Sequence, residues 1–170
     1  MIAPPRLVGR ARLFGDDVNT DYIISSTRKR ESLDPQVLRH YLFEGLDPEF
    51  AATIAPGDLV VAGKNFGCGS AMEVAVTAVL GAGIPAVLAQ SFSRTYYRNA
   101  INNGLLPLIC DTSRIRAGDR LSIGGGQDMA VRNETTGEAL VSETLPPIML
   151  DILAAGGLVP YMREHGGFVV

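Results

Sequence analysis

The stretch LVVAGKNFGCGSAMEVAVTAVLGAGIPAVLA, residues 59–89, decides how the chain folds. Leu59-Val60-Val61-Ala62 is a short apolar run closed by Gly63, the pattern of a strand buried on both faces. Lys64 to Ser70 follows as a glycine-rich loop. Ala71 to Leu80 contains no breaker and is apolar nearly all round, which predicts a buried helix ending at Gly81 or Gly83. Pro85 to Ala89 repeats the short apolar run. Strand, glycine loop, helix and strand in that order make a βαβ unit, whose crossover is right-handed almost without exception, so the predicted core is a partly parallel α/β sheet.

Working upstream, Leu7 to Phe14 alternates apolar and polar residues and reads as a strand entering a turn at Gly15-Asp16-Asp17. Val18 to Ile24 leans towards β structure, and the polar Ser25 to Ser32, with no consistent period, reads as a loop. Asp34-Pro35 pairs an acidic N-cap with a proline at the first helical position, and Val37, Leu38, Tyr41 and Leu42 continue at helical spacing to about Glu44. Downstream, Ser93 to Asn103 is predicted helical with Gly104 as its cap, and Leu105 to Cys110 as a strand. Arg120–Ile123, Met129–Arg132 and Glu138–Val141 read as edge strands separated by turns at Gly124-Gly125-Gly126 and Thr136-Gly137. A last helix, Pro147 to Ala155, stops at Gly156-Gly157, and the tail from Tyr161 is expected on the surface or against a partner.

Composition narrows the chemistry. The 170 residues are one domain's worth, 46% hydrophobic and 19% charged, and 15 Lys+Arg against 18 Asp+Glu exclude a generally basic surface for nucleic acid. Two cysteines, Cys68 and Cys110, and two histidines, His40 and His165, are too few and too scattered for a four-ligand zinc site, a disulfide framework or a three-cysteine iron-sulfur site. The N-terminal MIAPPRLVGRARLFG has no apolar core of signal-peptide length, and no apolar run approaches a membrane span, so a cytoplasmic protein with reduced thiols is expected.

The loop from Lys64 to Ser70 carries the strongest chemical signal. Gly67 and Gly69 let the backbone approach a ligand, and Ser70 is expected at or near the N-cap of the following helix, where backbone N–H groups favour an anion. The loop lacks the Gly-Lys-Ser/Thr ending of a phosphate loop, breaks the GxGxxG spacing and lacks the GxSxG pattern of a nucleophile elbow. On loop physics alone, a serine that only caps the helix is an equal reading. Cys68, with no base nearby, reads as a small packing residue, and His40 and His165 as surface residues.

Five motifs in order then carry a resemblance over nearly the whole chain. Asn65-Phe66-Gly67-Cys68-Gly69-Ser70, Ser91-Phe92-Ser93-Arg94, Tyr97-Arg98-Asn99-Ala100-Ile101-Asn102 and Gly104-Leu105-Leu106-Pro107 follow Asp16-Asp17-Val18-Asn19-Thr20-Asp21. With Leu145-Pro146-Pro147 and Gly156-Gly157-Leu158-Val159-Pro160 behind them, they resemble the small subunit of isopropylmalate isomerase and the swivelling domain of aconitase. The resemblance implies one swivelling β/β/α domain over residues 1–170. It also implies a hydro-lyase activity of leucine biosynthesis on a 2-hydroxy dicarboxylate. The chain would bind no cofactor of its own. A large aconitase-like partner would hold a [4Fe-4S] cluster, with no nucleic acid or membrane involved, and the small subunit alone could form a homo-oligomer.

The same resemblance assigns roles by position. Ser70 would be the base that takes the proton next to a carboxylate. Gly67, Cys68 and Gly69 would shape the loop against the substrate, and Arg28, Lys29 and Arg30 lie where the family selects the substrate's side group. Asp21, Asn65, Arg94 and Arg98 would support the site. Ala71-Met72-Glu73 stands where the family has Ser-Arg-Glu, so Met72 replaces an arginine whose carboxylate contact is worth roughly 1.5–3 kcal/mol. That departure keeps two rivals in view: a related dehydratase acting on a methylmalate, dimethylmalate or homoaconitate-like substrate, and a non-catalytic binding module of the same fold.

Overall fold

The computed structural model describes residues 4–125 and 129–168. Its centre is β1 (Leu7–Leu13), where the sheet changes character. On one side lie β2 (Leu59–Val61), β3 (Ala86–Ala89) and β4 (Leu106–Ile109), each parallel to its neighbour. On the other lie β5 (Arg120–Ile123), β6 (Val131–Asn133) and β7 (Glu138–Leu140), all antiparallel. The order among the described residues is β4-β3-β2-β1-β5-β6-β7. The parallel half is joined by helical crossovers, as parallel pairing requires, and β6 and β7 by a short turn at Gly137.

Both faces of the parallel half are buried, which is why its strands read as continuous apolar runs. Val60, Ala62, Val87 and Ala89 enter one core, while Leu59, Val61, Ala86 and Leu88 enter the other, as the pleat demands. The first core is closed by α5 (Val74–Gly81) and by the chain around Val18 to Phe50. The second is closed by α7 (Pro147–Ala154) and α8 (Leu158–His165). α6 (Arg94–Asn103) divides between them, sending Ala100 to one and Ile101 to the other. Its ends follow the sequence: the Ser93 hydroxyl accepts the Tyr96 N–H, and Gly104 caps the C-terminus at φ 86°. No helix among the described residues is long and apolar enough to cross a membrane.

Several expectations for the first 80 residues and the tail are corrected. Val18 to Ile24 is not extended: α1 (Thr20–Ile23) forms one turn there because Asn19 Oδ1 accepts the Asp21 N–H at 2.9 Å. The expected loop Ser25 to Ser32 contains α2 (Ser26–Glu31), capped by the Ser25 hydroxyl. The helix expected to reach Glu44 is only α3 (Pro35–Leu38) followed by a 3-10 turn, Arg39–Tyr41. It stops because Phe43 takes φ 54° to stack on Phe14, ring centroids 4.1 Å apart, and α4 (Phe50–Thr53), which the sequence did not announce, brings Phe50 edge-on to Phe43. α5 begins at Val74 rather than Ala71, so the loop is longer and the helix shorter than expected. The tail is not peripheral, because α8 buries Tyr161 to 1% exposure in the second core. His40 and His165 are exposed. Of the expected turn Gly124-Gly125-Gly126, Gly126 lies outside the described residues, as do parts of both termini.

Candidate active site

The glycine loop leaves the C-terminal end of β2, the end of a parallel sheet at which ligands ordinarily bind. It is held between two segments. On one side, the Asn65 N–H donates to Ser91 Oγ at 2.8 Å, the Phe66 N–H to the Ser91 carbonyl at 3.0 Å, and Ser93 Oγ to the Gly67 carbonyl at 2.7 Å. On the other, the Lys64 N–H donates to Asp16 Oδ1, Asn65 Nδ2 to Asp17 Oδ1 at 2.9 Å, the Gly67 N–H to the Val18 carbonyl and the Thr20 N–H to the Cys68 carbonyl, both at 2.8 Å.

Both glycines are required by this crowding. Gly67 has φ 79°, and a Cβ there would lie 2.2 Å from the Tyr96 ring; Gly69 has φ 94°, and a Cβ there would lie 2.5 Å from the Asn19 amide. Tyr96 is fixed in turn, its hydroxyl donating to the Ala75 carbonyl at 3.0 Å and its phenol pushed up in pKa by burial. Asn65 itself is exposed and takes the left-handed φ of 57°, with its side chain on Asp17.

Ser70 ends this framework and is exposed. Its carbonyl accepts the Thr20 hydroxyl at 2.8 Å, while its own hydroxyl makes no hydrogen bond among the described residues. The N–H groups of Gly69, Ser70 and Ala71 likewise have no acceptor among them. Ser70 is therefore not a helix cap. The capping position of α5 is Glu73, which makes no side-chain capping bond. A serine oxygen beside unengaged N–H donors can carry an anionic charge, and in that alkoxide form it accepts a proton.

The remaining expected site residues differ in burial and in pairing. Met72 is 4% exposed and belongs to the first core. Arg28 is also occupied: its guanidinium binds Glu44 at 3.0 Å and Glu31 at 3.3 Å and lies 3.9 Å over the Tyr41 ring. Lys29 and Arg30 are exposed and unpaired among the described residues.

Asp21 holds the first residue of α2, beside the Ser25 cap. It accepts the Ser26 hydroxyl at 2.6 Å and the Ser26 N–H at 2.7 Å, which hold its carboxyl below the usual range. Arg94 and Arg98 are exposed on α6 with no hydrogen bond or ion pair among the described residues. Arg94 borders a cleft of ≈ 450 Å³ with Phe92, Tyr97, Ile109 and Glu143, where burial and then the Glu143 charge raise the Tyr97 pKa. Cys68 is partly buried in the loop, and the Cys110 thiol is pushed up to about 12 by burial and the neighbouring Asp111. Among the described residues no group of three His, Cys, Asp or Glu side chains is arranged to hold a metal ion.

Comparison with known proteins extends these observations. The family model of the aconitase C-terminal domain matches residues 46–113. The chain is similar to the 3-isopropylmalate dehydratase small subunit 2 of Archaeoglobus fulgidus, 45% identical over 161 residues that cover 95% of this chain and 97% of the relative. It is also similar to the methanogen homoaconitase small subunit of Methanocaldococcus jannaschii, 44% identical over 158 residues that cover 92% of this chain and 91% of the relative. The crystal structure of 3-isopropylmalate dehydratase from Methanocaldococcus jannaschii matches with a TM-score of 0.89 and 42% identity, covering 95% of each chain.

Proposed function

The chain belongs to the family of 3-isopropylmalate dehydratase small subunits, and from that premise we propose that it brings the proton-transfer group to an active site completed by a second chain. It is the small subunit of a heteromeric hydro-lyase that removes water from a 2-hydroxy dicarboxylate of the 3-isopropylmalate type and adds it back, a cytoplasmic step of leucine biosynthesis. A large aconitase-like subunit carries the [4Fe-4S] cluster. The residues of this chain do not fit such a group, because no set of ligands comes together among those described.

Ser70 acts on the carbon next to a substrate carboxylate. The C–H bond breaks, its proton forms an O–H bond with the Ser70 Oγ alkoxide, and the electron pair left on carbon closes the double bond as the hydroxyl on the adjacent carbon departs with its bonding pair as hydroxide. That hydroxide takes up one proton and leaves as water, and release of the proton from Ser70 Oγ restores the alkoxide. A serine hydroxyl is a weak base in water, so Oγ has to enter the step as an alkoxide held by donors in a site closed to solvent. The unengaged N–H groups of Gly69, Ser70 and Ala71 are suited to that charge. Gly67 and Cys68 contribute through the backbone that holds them, and Asn65 through its tie to Asp17.

The observation that carries this reading is the exposed Ser70 hydroxyl, unbonded among the described residues, at the end of a loop tied down from Lys64 to Cys68. In the chain reconstituted with its large subunit, Ser70→Ala is expected to lower kcat for 3-isopropylmalate by about 10²–10⁴-fold with unchanged partner affinity. Full activity in Ser70→Ala would contradict the assignment. A wild-type complex inactive on every 2-hydroxy or unsaturated dicarboxylate would instead favour a binding module.

A second reading, a substrate of the homoaconitate type with a further carboxylate, is favoured by the unpaired Lys29 and Arg30 and by the homoaconitase relative. It predicts that Lys29→Ala/Arg30→Ala lowers kcat/KM for the tricarboxylate more than for 3-isopropylmalate.

A further inference from the structure

We propose that Thr20 is the positioning residue that sets where Ser70 points, an inference that rests on the assignment of Ser70 above. The segment from Asp16 to Thr20 lies along the glycine loop and is bonded to it step by step. The Asp17 N–H reaches the Lys64 carbonyl at 2.8 Å, the Gly67 N–H reaches Val18, and the Thr20 N–H reaches Cys68. Thr20 then adds a second bond, its hydroxyl donating to the Ser70 carbonyl at 2.8 Å. After that bond the next main-chain tie is the Ala75 N–H to the Met72 carbonyl, at the start of α5. The Thr20 hydroxyl is thus the last tie before the open segment, and the only hydrogen bond among the described residues made to Ser70 itself.

Thr20 is suited to hold that position. It is 2% exposed, so its hydroxyl is shielded from competing water, and its own carbonyl is engaged by the Ile24 N–H at 3.0 Å in α1. The surrounding framework is stiff. Asp17 and Asn65 both hold left-handed backbones, φ 54° and 57°, joined through their side chains, and such conformations persist only where neighbours over-determine them. Asn19 fills the space over Gly69 that a side chain would need. A reacting group displaced by about 1 Å costs on the order of 100-fold in rate, so the last tie governs the rate without touching the substrate.

Two variants of the full chain test this. Thr20→Val keeps the branched shape and loses the hydroxyl; Thr20→Ser keeps the hydroxyl. Hydrogen exchange of the chain alone is expected to quicken at the bonded amides of Phe66, Gly67 and Thr20 in Thr20→Val and to match wild type in Thr20→Ser. In the reconstituted complex, Thr20→Val is expected to lower kcat for 3-isopropylmalate by about 100-fold with KM little changed, and Thr20→Ser to restore it. Added to Ser70→Ala, Thr20→Val is expected to cost nothing more. If the valine variant does not fold, Thr20→Ala carries the same expectations.

Unchanged exchange at the amides of Phe66, Gly67 and Thr20, or a double variant whose loss is the product of the two single losses, overturns the inference. Loss of activity in Ser70→Ala beside an unaffected Thr20→Val overturns it alone, whereas full activity in Ser70→Ala removes the assignment of Ser70 and this inference with it.

Discussion

Gly67 and Gly69 occupy positions that no side chain can share, one against the Tyr96 ring and the other against the Asn19 amide. Gly67→Ala adds a Cβ to a left-handed backbone and drives it into a buried ring, so unfolding in urea is expected to give a loss of about 2 kcal/mol or more; a loss below about 0.5 kcal/mol would mean that the loop moves freely away from Tyr96. The glycines were legible in the sequence as close-approach positions, but what they approach was not, because Asn19 and Tyr96 come from segments distant in the chain. Met72 shows the opposite case. Its sequence position pointed to the substrate, and its place in the first core favours packing. Met72→Leu is therefore expected to cost less than about 1.5 kcal/mol and to leave the preference among substituted malates unchanged; a shifted preference would return Met72 to the substrate-reading role.

The βαβ unit was legible because β2, α5 and β3 are buried all round and punctuated by glycine, so local pattern and tertiary environment agree. α2 was not, because it buries no residue and its amphipathic signal is absent. Polar ties hold it instead: Asp21 to Ser26, and Arg28 to Glu44 and the Tyr41 ring. Arg28→Ala is expected to quicken hydrogen exchange at residues 26–31 while leaving the sheet's exchange unchanged, since no strand depends on it. Unchanged exchange in α2 would show that the Ser25 cap and the Asp21 bonds suffice. A comparable polar tie at β1 is more deeply set. Asp58 is buried and accepts from Arg10 at 2.7 Å, from Arg12 at 3.4 Å and from the Ala55 N–H at 3.0 Å, holding the turn before β2 against β1. Asp58→Ala is expected to cost about 2 kcal/mol in urea unfolding, limited by the half-exposed Arg10.

For the molecule as a whole, these carboxylates set the response to acid. Burial alone would raise the Asp58 pKa, but the Arg10 and Arg12 guanidinium groups and the Ala55 N–H outweigh it, and the carboxyl lies below its ordinary value. Asp119 is lowered by the Arg116 N–H and the Asn133 amide. A carboxyl whose folded pKa is depressed stabilises the fold above its unfolded value, near pH 4, and that stability is lost as pH falls through the folded pKa. Urea unfolding is expected to be nearly level in its carboxylate contribution above about pH 5 and to weaken steadily below pH 4; stability unchanged down to pH 3 would contradict these assignments. The sheet's parallel half could be read from sequence, whereas the pairing of β1 with β5 could not, since Val8 meets Ser122 across most of the chain. The scarcity of cysteine and histidine was equally plain, and the proposed function turns on a serine of this chain and a cluster held by a partner. The most direct test of that claim follows the proton. With the reconstituted complex hydrating the unsaturated acid in D2O, proton NMR reads deuterium entering the carbon next to the carboxylate. The account predicts that Ser70→Ala slows that incorporation by at least about 100-fold relative to wild type, and incorporation at the wild-type rate would contradict it.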